Sequence, residues 1–241
     1  LNVSFAMARA AKRIGAEIRV RTEVTGLMVA DGKVVGVEIG REKLYADWVV
    51  LALGVWTPFL LKKIDVDLPI IPRKGQILVT ERMKPFIECK ILGAAYITNK
   101  LQIHSTASVE KTKGVGLALG QTRSGTLLIG GSREFAGYDL RTDPLVTKHI
   151  AEAAARVFPI LNEAHIIRTF AGLRPYTPDG MPIIGKLQTV GNLYIAAGHE
   201  GDGIALAPIT GKIVADEICG NESEFDLSVF SPNRFLELKS V

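Results

Sequence analysis

The sequence is short of most features that would assign a chemistry at once. It has only two cysteines, Cys89 and Cys219, and neither sits at a metal or redox spacing, so no disulfide framework is expected. No run of eighteen apolar residues occurs, and no transmembrane helix is predicted. P-loops, nucleophile elbows and clusters of metal-ligating side chains are also missing. Charge of one sign is lacking too. The 29 basic and 25 acidic residues leave a net charge of +4, too dilute to argue for nucleic acid. Together these absences predict a cytoplasmic protein without nucleic acid, metal or membrane span. There is no internal repeat and no low-complexity tract.

What is present is ordinary core-forming material. With 241 residues, 47% of them hydrophobic, the chain can bury a sizeable core in one or two domains. Val3, Ala6, Met7, Ala10 and Ile14 recur at helical spacing and predict a core-facing helix ended by Gly15. A strand is expected over 17–20. Alternating runs over 23–30 and 33–39 flank Asp31-Gly32, a strong hairpin signal. The apolar run 48–53 reads as a buried strand of a mainly parallel sheet. After Gly54, Thr57 is a plausible N-cap, with Pro58 at the first helical position.

Beyond Pro69 and Pro72 the character changes to short β-like runs. Arg73-Lys74-Gly75-Gln76 leads into a strand over 77–80, and runs over 118–122 and 126–130 flank the turn Arg123-Ser124-Gly125. A helix is predicted over 144–157, closed by Pro159, and a strand over 165–171. Residues 92–116 take no clear assignment. The polar tail 221–241 is expected to dock on the surface.

The stretch 192–220 organises the rest. Leu193 to Ala197 reads as a buried strand, glycines follow at 198, 201 and 203, and a helix begins near Ile204, with Pro208 expected within its first turn. Strand, glycine loop and helix start make a place where backbone can approach an electron-rich group, although the same pattern also serves as a mere tight turn.

Two motifs, AGLRPYTPDGMPIIG ending at Gly185 and LYIAAGHEGDGIALAPITGKIVADEI ending at Ile218, resemble the C-terminal signature of FAD-dependent amine and amino-acid oxidoreductases. That family includes D-amino-acid oxidase, glycine oxidase, the sarcosine oxidase β-subunit and dye-linked proline dehydrogenases. The segment LGQTRSGTLLIGGSREFAGYD most resembles dehydrogenase-type members, such as the β-subunits of proline dehydrogenase and hydrogen cyanide synthase.

The resemblance implies an α+β or α/β protein. Part of a Rossmann-like FAD domain would come from 1–70 and 170–241, and an antiparallel β substrate domain from 71–169. It implies FAD as cofactor and a small amine or amino acid as substrate, oxidised by hydride transfer to the flavin. An electron-accepting partner subunit would follow for a dehydrogenase. A peroxide-producing oxidase and a flavin-free binding or assembly module remain as alternatives.

By the same resemblance, Val24 lies at the adenine end of FAD, and Ala52, Gly54 and Trp56 pass near the dinucleotide. Plain core packing is the simpler reading of Val24 and Trp56. Gly198, His199, Gly201, Asp202, Gly203 and Ile204 would contact the flavin, mainly through backbone, and His199 is more simply structural than a proton carrier. Arg174, in the GLRP motif, would bind the substrate carboxylate through its planar fork, where an interdomain ion pair is the competing reading. Tyr96, His104 and Gln121 are candidate pocket residues, each more simply structural.

Set against the family, the chain starts with Leu rather than Met and lacks the early Gly-x-Gly-x-x-Gly turn that holds the FAD pyrophosphate. The expectation is a C-terminal portion that binds FAD weakly or not at all and exposes apolar edges, inviting homo-oligomers.

Overall fold

The computed structural model describes residues 2–101 and 114–236. Three sheets carry the architecture. The first joins β1 (Gly26–Ala30), β2 (Lys33–Ile39) and β3 (Glu42–Tyr45) as an antiparallel meander. Its first turn is Asp31-Gly32, with φ of 49° and 71°. Two successive positive φ values give the turn twist that two right-handed strands need.

The second sheet places β11 (Leu193–Ala197) between β10 (Ile183–Lys186), antiparallel, and β4 (Val49–Leu51), parallel. β11 is buried on both faces, as its continuous apolar run requires. Leu193 and Ile195 enter a core with Val34, Leu51, Leu61 and Leu68, while Tyr194 packs against Ile213.

The third sheet has five antiparallel strands in the order β6, β7, β8, β5, β9. These are β6 (Ile91–Leu92), β7 (Ala118–Gln121), β8 (Thr126–Gly130), β5 (Ile71–Arg82) and β9 (Ile166–Tyr176). The expected strands at 77–80 and 165–171 are both longer. β5 already includes Arg73 to Gln76, and β9 continues through Arg174, paired with β5 from Ile71↔Tyr176 to Thr80↔Ile166.

Three helices precede the last two large ones: α1 (Asn2–Arg13), α2 (Thr57–Leu61) and α3 (Ala94–Leu101). α4 (Pro144–Val157) covers the third sheet. It starts on Asp143, whose carboxylate accepts from the Leu145 N–H at 2.8 Å. Val146, Ile150 and Ala154, one helical turn apart, face Leu78, Leu119 and Leu127. Each such side chain taken fully out of water contributes about 1.5–3 kcal/mol.

α5 (Gly203–Cys219) follows β11. The tail docks as expected, at a specific point. Asn233 is buried, accepting from the Gln188 N–H at 3.0 Å and donating to the Lys186 carbonyl at 3.1 Å. Residues 237–241 lie outside the described residues.

Four local expectations are corrected. α1 forms, but it is not core-facing: none of its residues is buried, and Val3, Phe5 and Met7 stand exposed. Its periodicity made a helix without supplying a partner surface. Residues 17–20 form no strand, because no neighbouring strand offers a ladder there, and Arg19 is instead held by Glu17 and Glu42 at 2.8 Å each. Thr57 is not the N-cap of α2 and Pro58 is not its first residue, since a 3-10 turn at Gly54–Trp56 runs straight into α2, which begins at the buried Thr57. Pro208 lies in the second turn of α5, one turn later than expected, because the helix already begins at Gly203. Its missing N–H deprives the Ile204 carbonyl of its usual partner.

Candidate functional site

Antiparallel register builds the site. Pairing puts Arg73 opposite Arg174 and Gly75 opposite Gly172 on neighbouring strands. Strand residues two apart share a face, so one face of the sheet carries Arg73, Gly75, Ile77 and, across from them, Arg174, Gly172, Phe170. Gly75 is required by its neighbour. A Cβ there would lie 2.2 Å from Nη1 of Arg174, so the guanidinium lies against bare backbone. That Nη1 donates to the Ser132 carbonyl at 3.1 Å.

Glu200 is the focus of the cluster. Its Oε1 stands 3.6 Å from Arg133 Nε, 3.8 Å from Arg73 Nη1 and 4.0 Å from Arg174 Nε. Arg73 and Arg133 are only 4% and 3% exposed. Burial pushes the Arg73 and Arg174 guanidinium groups below their usual range, against the pull of the Glu200 carboxylate. Arg73 lies over the Phe135 and Tyr176 rings, with centroids 5.5 and 5.1 Å away, and the two rings pack edge to face at 5.2 Å. Arg133 lies over Tyr96 at 4.4 Å.

Glu200 itself holds a left-handed φ of 46°, costly for a residue with a side chain. Its N–H donates to the Pro175 carbonyl at 3.1 Å, fixing the glycine loop to β9. A cleft of ≈ 500 Å³ opens beside it, lined by Arg73, Tyr176, Asp179, His199 and Asp202 among others.

The residues singled out from sequence fall into two places. Gly198, His199, Gly201, Asp202, Gly203 and Ile204 form the loop and helix start next to Arg174, where a Cβ on Gly201 would be 3.9 Å from Arg174 Cδ. Ala52 joins them, lining one groove with His199, Gly203 and Ala207. Val24 and Trp56 line a different hollow, with Phe59 and Lys63. Gly54 opens the 3-10 turn whose Val55 carbonyl accepts from the Tyr138 hydroxyl at 2.8 Å.

His199 bonds Thr210 through Nε2 at 3.0 Å, pegging the loop to α5, and burial lowers its pKa. Gln121 is structural, its amide joining the Phe86 N–H and the carbonyls of Met83, Lys84 and Gly125. His104 lies outside the described residues.

Sequence reading missed Arg73, Arg133 and Glu200 as members of the site. The available signal was an arginine in each of two strand-adjacent motifs, RKGQ and GGSRE, but nothing local tied them to position 200.

An FAD site fits what this surface offers. α5 starts without a side-chain cap, and its first turns leave Ile204 72% and Leu206 37% exposed. The groove beside them is apolar, with Val50, Ala52, Ala196 and Val214. Uncapped N–H groups beside bare apolar surface suit a flat apolar ring with an electron-rich edge. Among the described residues no His, Cys, Asp and Glu group could hold a metal ion, and no helix is long and apolar enough to cross a membrane.

Residues 2–217 match the family described as FAD dependent oxidoreductase (DAO). The chain belongs to this family. Among its members, glycine oxidase of Pseudomonas aeruginosa is 29% identical over 216 residues, covering 90% of this chain and 54% of its own. The L-proline dehydrogenase of P. horikoshii superposes with a TM-score of 0.82 at 26% identity, over 97% of this chain and 59% of that one. Glycine oxidase of Geobacillus kaustophilus gives 0.79 at 27%, over 95% and 56%. The chain therefore spans a little over half the length of these members.

Proposed function

We propose that this chain supplies the substrate-carboxylate anchor and the flavin-facing loop of an FAD-dependent oxidoreductase that oxidises a small amine or amino acid. The observation that carries the reading is the buried arginine cluster on the β5–β9 face, set beside the Gly198–Gly203 loop and the uncapped start of α5. Arg174 is the anchor for an α-carboxylate. Its guanidinium is pre-positioned by the Ser132 carbonyl and the bare backbone of Gly75, so little side-chain freedom is lost on binding. Gly201, Asp202, Gly203 and Ile204 would hold the cofactor through backbone and apolar contact, with Ala52 across the groove. Bound FAD would supply the acceptor for a hydride from the carbon that bears the amine. His199 stays neutral at pH 7 as a peg for the loop, because its ring is buried against Thr210.

The finer reading is a dehydrogenase that passes electrons to a partner subunit, supported by the GGSREFAGYD resemblance and by the likeness to L-proline dehydrogenase. The test is anaerobic mixing of the complete FAD-loaded enzyme with amino acids and with simple amines. Amino acids should bleach the flavin absorbance and amines without a carboxylate should not. Peroxide formed in air at the rate of substrate loss would overturn the dehydrogenase reading, and no bleaching by any amino acid or amine would overturn the whole.

A further inference from the structure

The C-terminal tail ends beside the cleft. Ser231-Pro232-Asn233-Arg234-Phe235 folds as a tight 3-10 turn, opened by the Ser231 hydroxyl accepting from the Asn233 N–H at 3.2 Å. Pro232 packs on bare backbone in β10, where a Cβ on Gly185 would lie 3.0 Å from the proline Cδ. Seated there, Arg234 reaches the turn at Thr177–Met181. Its Nε donates to Asp179 Oδ2 at 2.7 Å and its Nη2 to Oδ1 at 3.2 Å, a two-bond pair, and Nη2 also donates to the Met181 carbonyl at 3.1 Å. The fork is held from behind, since Nη1 donates to the Ser231 carbonyl at 2.9 Å and the guanidinium lies 4.2 Å from the Phe235 ring centroid. Loose surface ion pairs contribute little, but a two-bond pair whose arginine is only 17% exposed is the stronger kind.

The turn held in this way is a wall of the cleft. Pro178, Asp179, Gly180 and Pro182 line it opposite His199 and Glu200. Asp179 closes the turn by accepting from the Met181 N–H at 3.0 Å, and the Gly180 N–H donates to the Thr177 carbonyl at 3.0 Å. Thr177 is buried inside it, its hydroxyl donating to the Met181 carbonyl at 2.7 Å. The methyl group of Thr177 then abuts Gly198. A Cβ on that glycine would lie 2.8 Å from the methyl carbon, and its φ of +78° suits glycine alone. Gly198 is where β11 opens into the glycine loop, so a shift of Thr177 is passed on to the loop by direct packing.

Resting on the flavin reading above, we infer that Arg234 is a positioning residue for the cofactor. From the tail it fixes Asp179 and the Thr177–Met181 turn, and through Thr177 it fixes the entry of the loop at Gly198. Arg234 touches none of the residues assigned to the flavin or to the substrate carboxylate. It acts on them through a chain of three contacts: fork on carboxylate, hydroxyl on carbonyl, methyl on glycine.

A double-mutant cycle on the complete FAD-loaded enzyme tests this. Arg234→Gln should weaken FAD binding about tenfold and change the visible circular dichroism of the bound flavin. Asp179→Asn should do the same, and the double variant should be no worse than either single one, because the two side chains act as one unit. Arg234→Lys keeps the charge and loses the fork, so it should fall between the parent and Arg234→Gln. Where Arg234→Gln fails to fold, Arg234→Lys takes its place in the cycle. A lowered melting temperature with FAD affinity and flavin dichroism unchanged would make the tie merely structural and overturn the inference, leaving the flavin reading intact. Additive losses in the double variant would overturn it as well. A parent enzyme that takes up no FAD would overturn the flavin reading and this inference together.

Discussion

The two faces of β5 bury polar groups equally deeply and treat them in opposite ways. On one face Lys74, Gln76 and Thr80 alternate with nothing left over. Gln76 donates to Glu134 at 2.9 Å and accepts from the Asp143 N–H at 2.9 Å, Lys74 donates to the Arg141 carbonyl at 3.2 Å, and Thr80 accepts from Leu127 at 3.0 Å. Ser132 closes the circle, bonding both the Gln76 N–H and Glu134. On the other face Arg73 and its neighbours Arg174 and Arg133 meet one carboxylate at 3.6–4.0 Å, beyond ordinary hydrogen-bond reach. A closed network stabilises a fold, whereas buried guanidinium groups at this range from one carboxylate suit the proposed binding role. On the proposed reading, the comparison sets a structural network beside a binding one on a single strand, in residues one position apart.

The sharpest way to break it is Gln76→Ala. Two partners would lose their bonds, Glu134 and the N–H of Asp143, the residue that caps α4, so stability should fall by about 2–4 kcal/mol in urea denaturation while carboxylate affinity follows only indirectly. A loss below about 0.5 kcal/mol would mean the closed face is not structural after all.

Arg174→Lys tests the open face. Lysine keeps the charge but lacks the fork, so in the complete flavoenzyme a carboxylate ligand such as benzoate should lose about 2 kcal/mol, roughly thirtyfold in Kd, with flavin content little changed. Intact carboxylate binding would remove the main support for an amino-acid substrate.

Gly75→Ala is a smaller probe of the same face. The new Cβ falls where the Arg174 guanidinium lies, so the anchor must shift and carboxylate affinity should fall about tenfold. The fold should hold, since alanine replaces glycine inside a strand without loss of propensity. If affinity stays and stability drops, the guanidinium was not resting there.

The smallest effect concerns His199. Burial lowers its pKa from the ordinary 6.5, so the unfolded chain takes up a proton first as pH falls. The stabilisation is full above pH 6.5 and is lost as pH drops through that value toward the lowered one. His199→Gln, which can still bond Thr210 but does not titrate, should flatten the melting temperature below pH 6.5 relative to the parent protein.

Much of this was legible beforehand because it is local. Asp31-Gly32 predicts its hairpin, Pro144 and Pro159 bracket α4, and the Leu193–Ala197 run is a buried strand, since turn chemistry, caps and short periodicities act within a few residues. The family motifs, too, lie in continuous stretches. Where local signals were overruled, the cause was context. α1 has an amphipathic pattern, but a pattern cannot name the surface it faces, and Thr57 resembles a cap until a preceding 3-10 turn absorbs it into the helix.

The sequence by itself therefore determined most of the elements, though not β6 and α3, and with them the glycine loop before α5 and the candidacy of Arg174. Only the tertiary structure decided that Arg73, Arg133 and Glu200 belong with it. Arg73 meets Arg174 because β5 and β9 pair in one particular antiparallel register, and a slip of one residue would send each side chain to the opposite face. Glu200 joins them because its N–H is tied to Pro175 at the end of β9. Such long-range pairings are set by the packing of whole sheets, and no short window of sequence contains them.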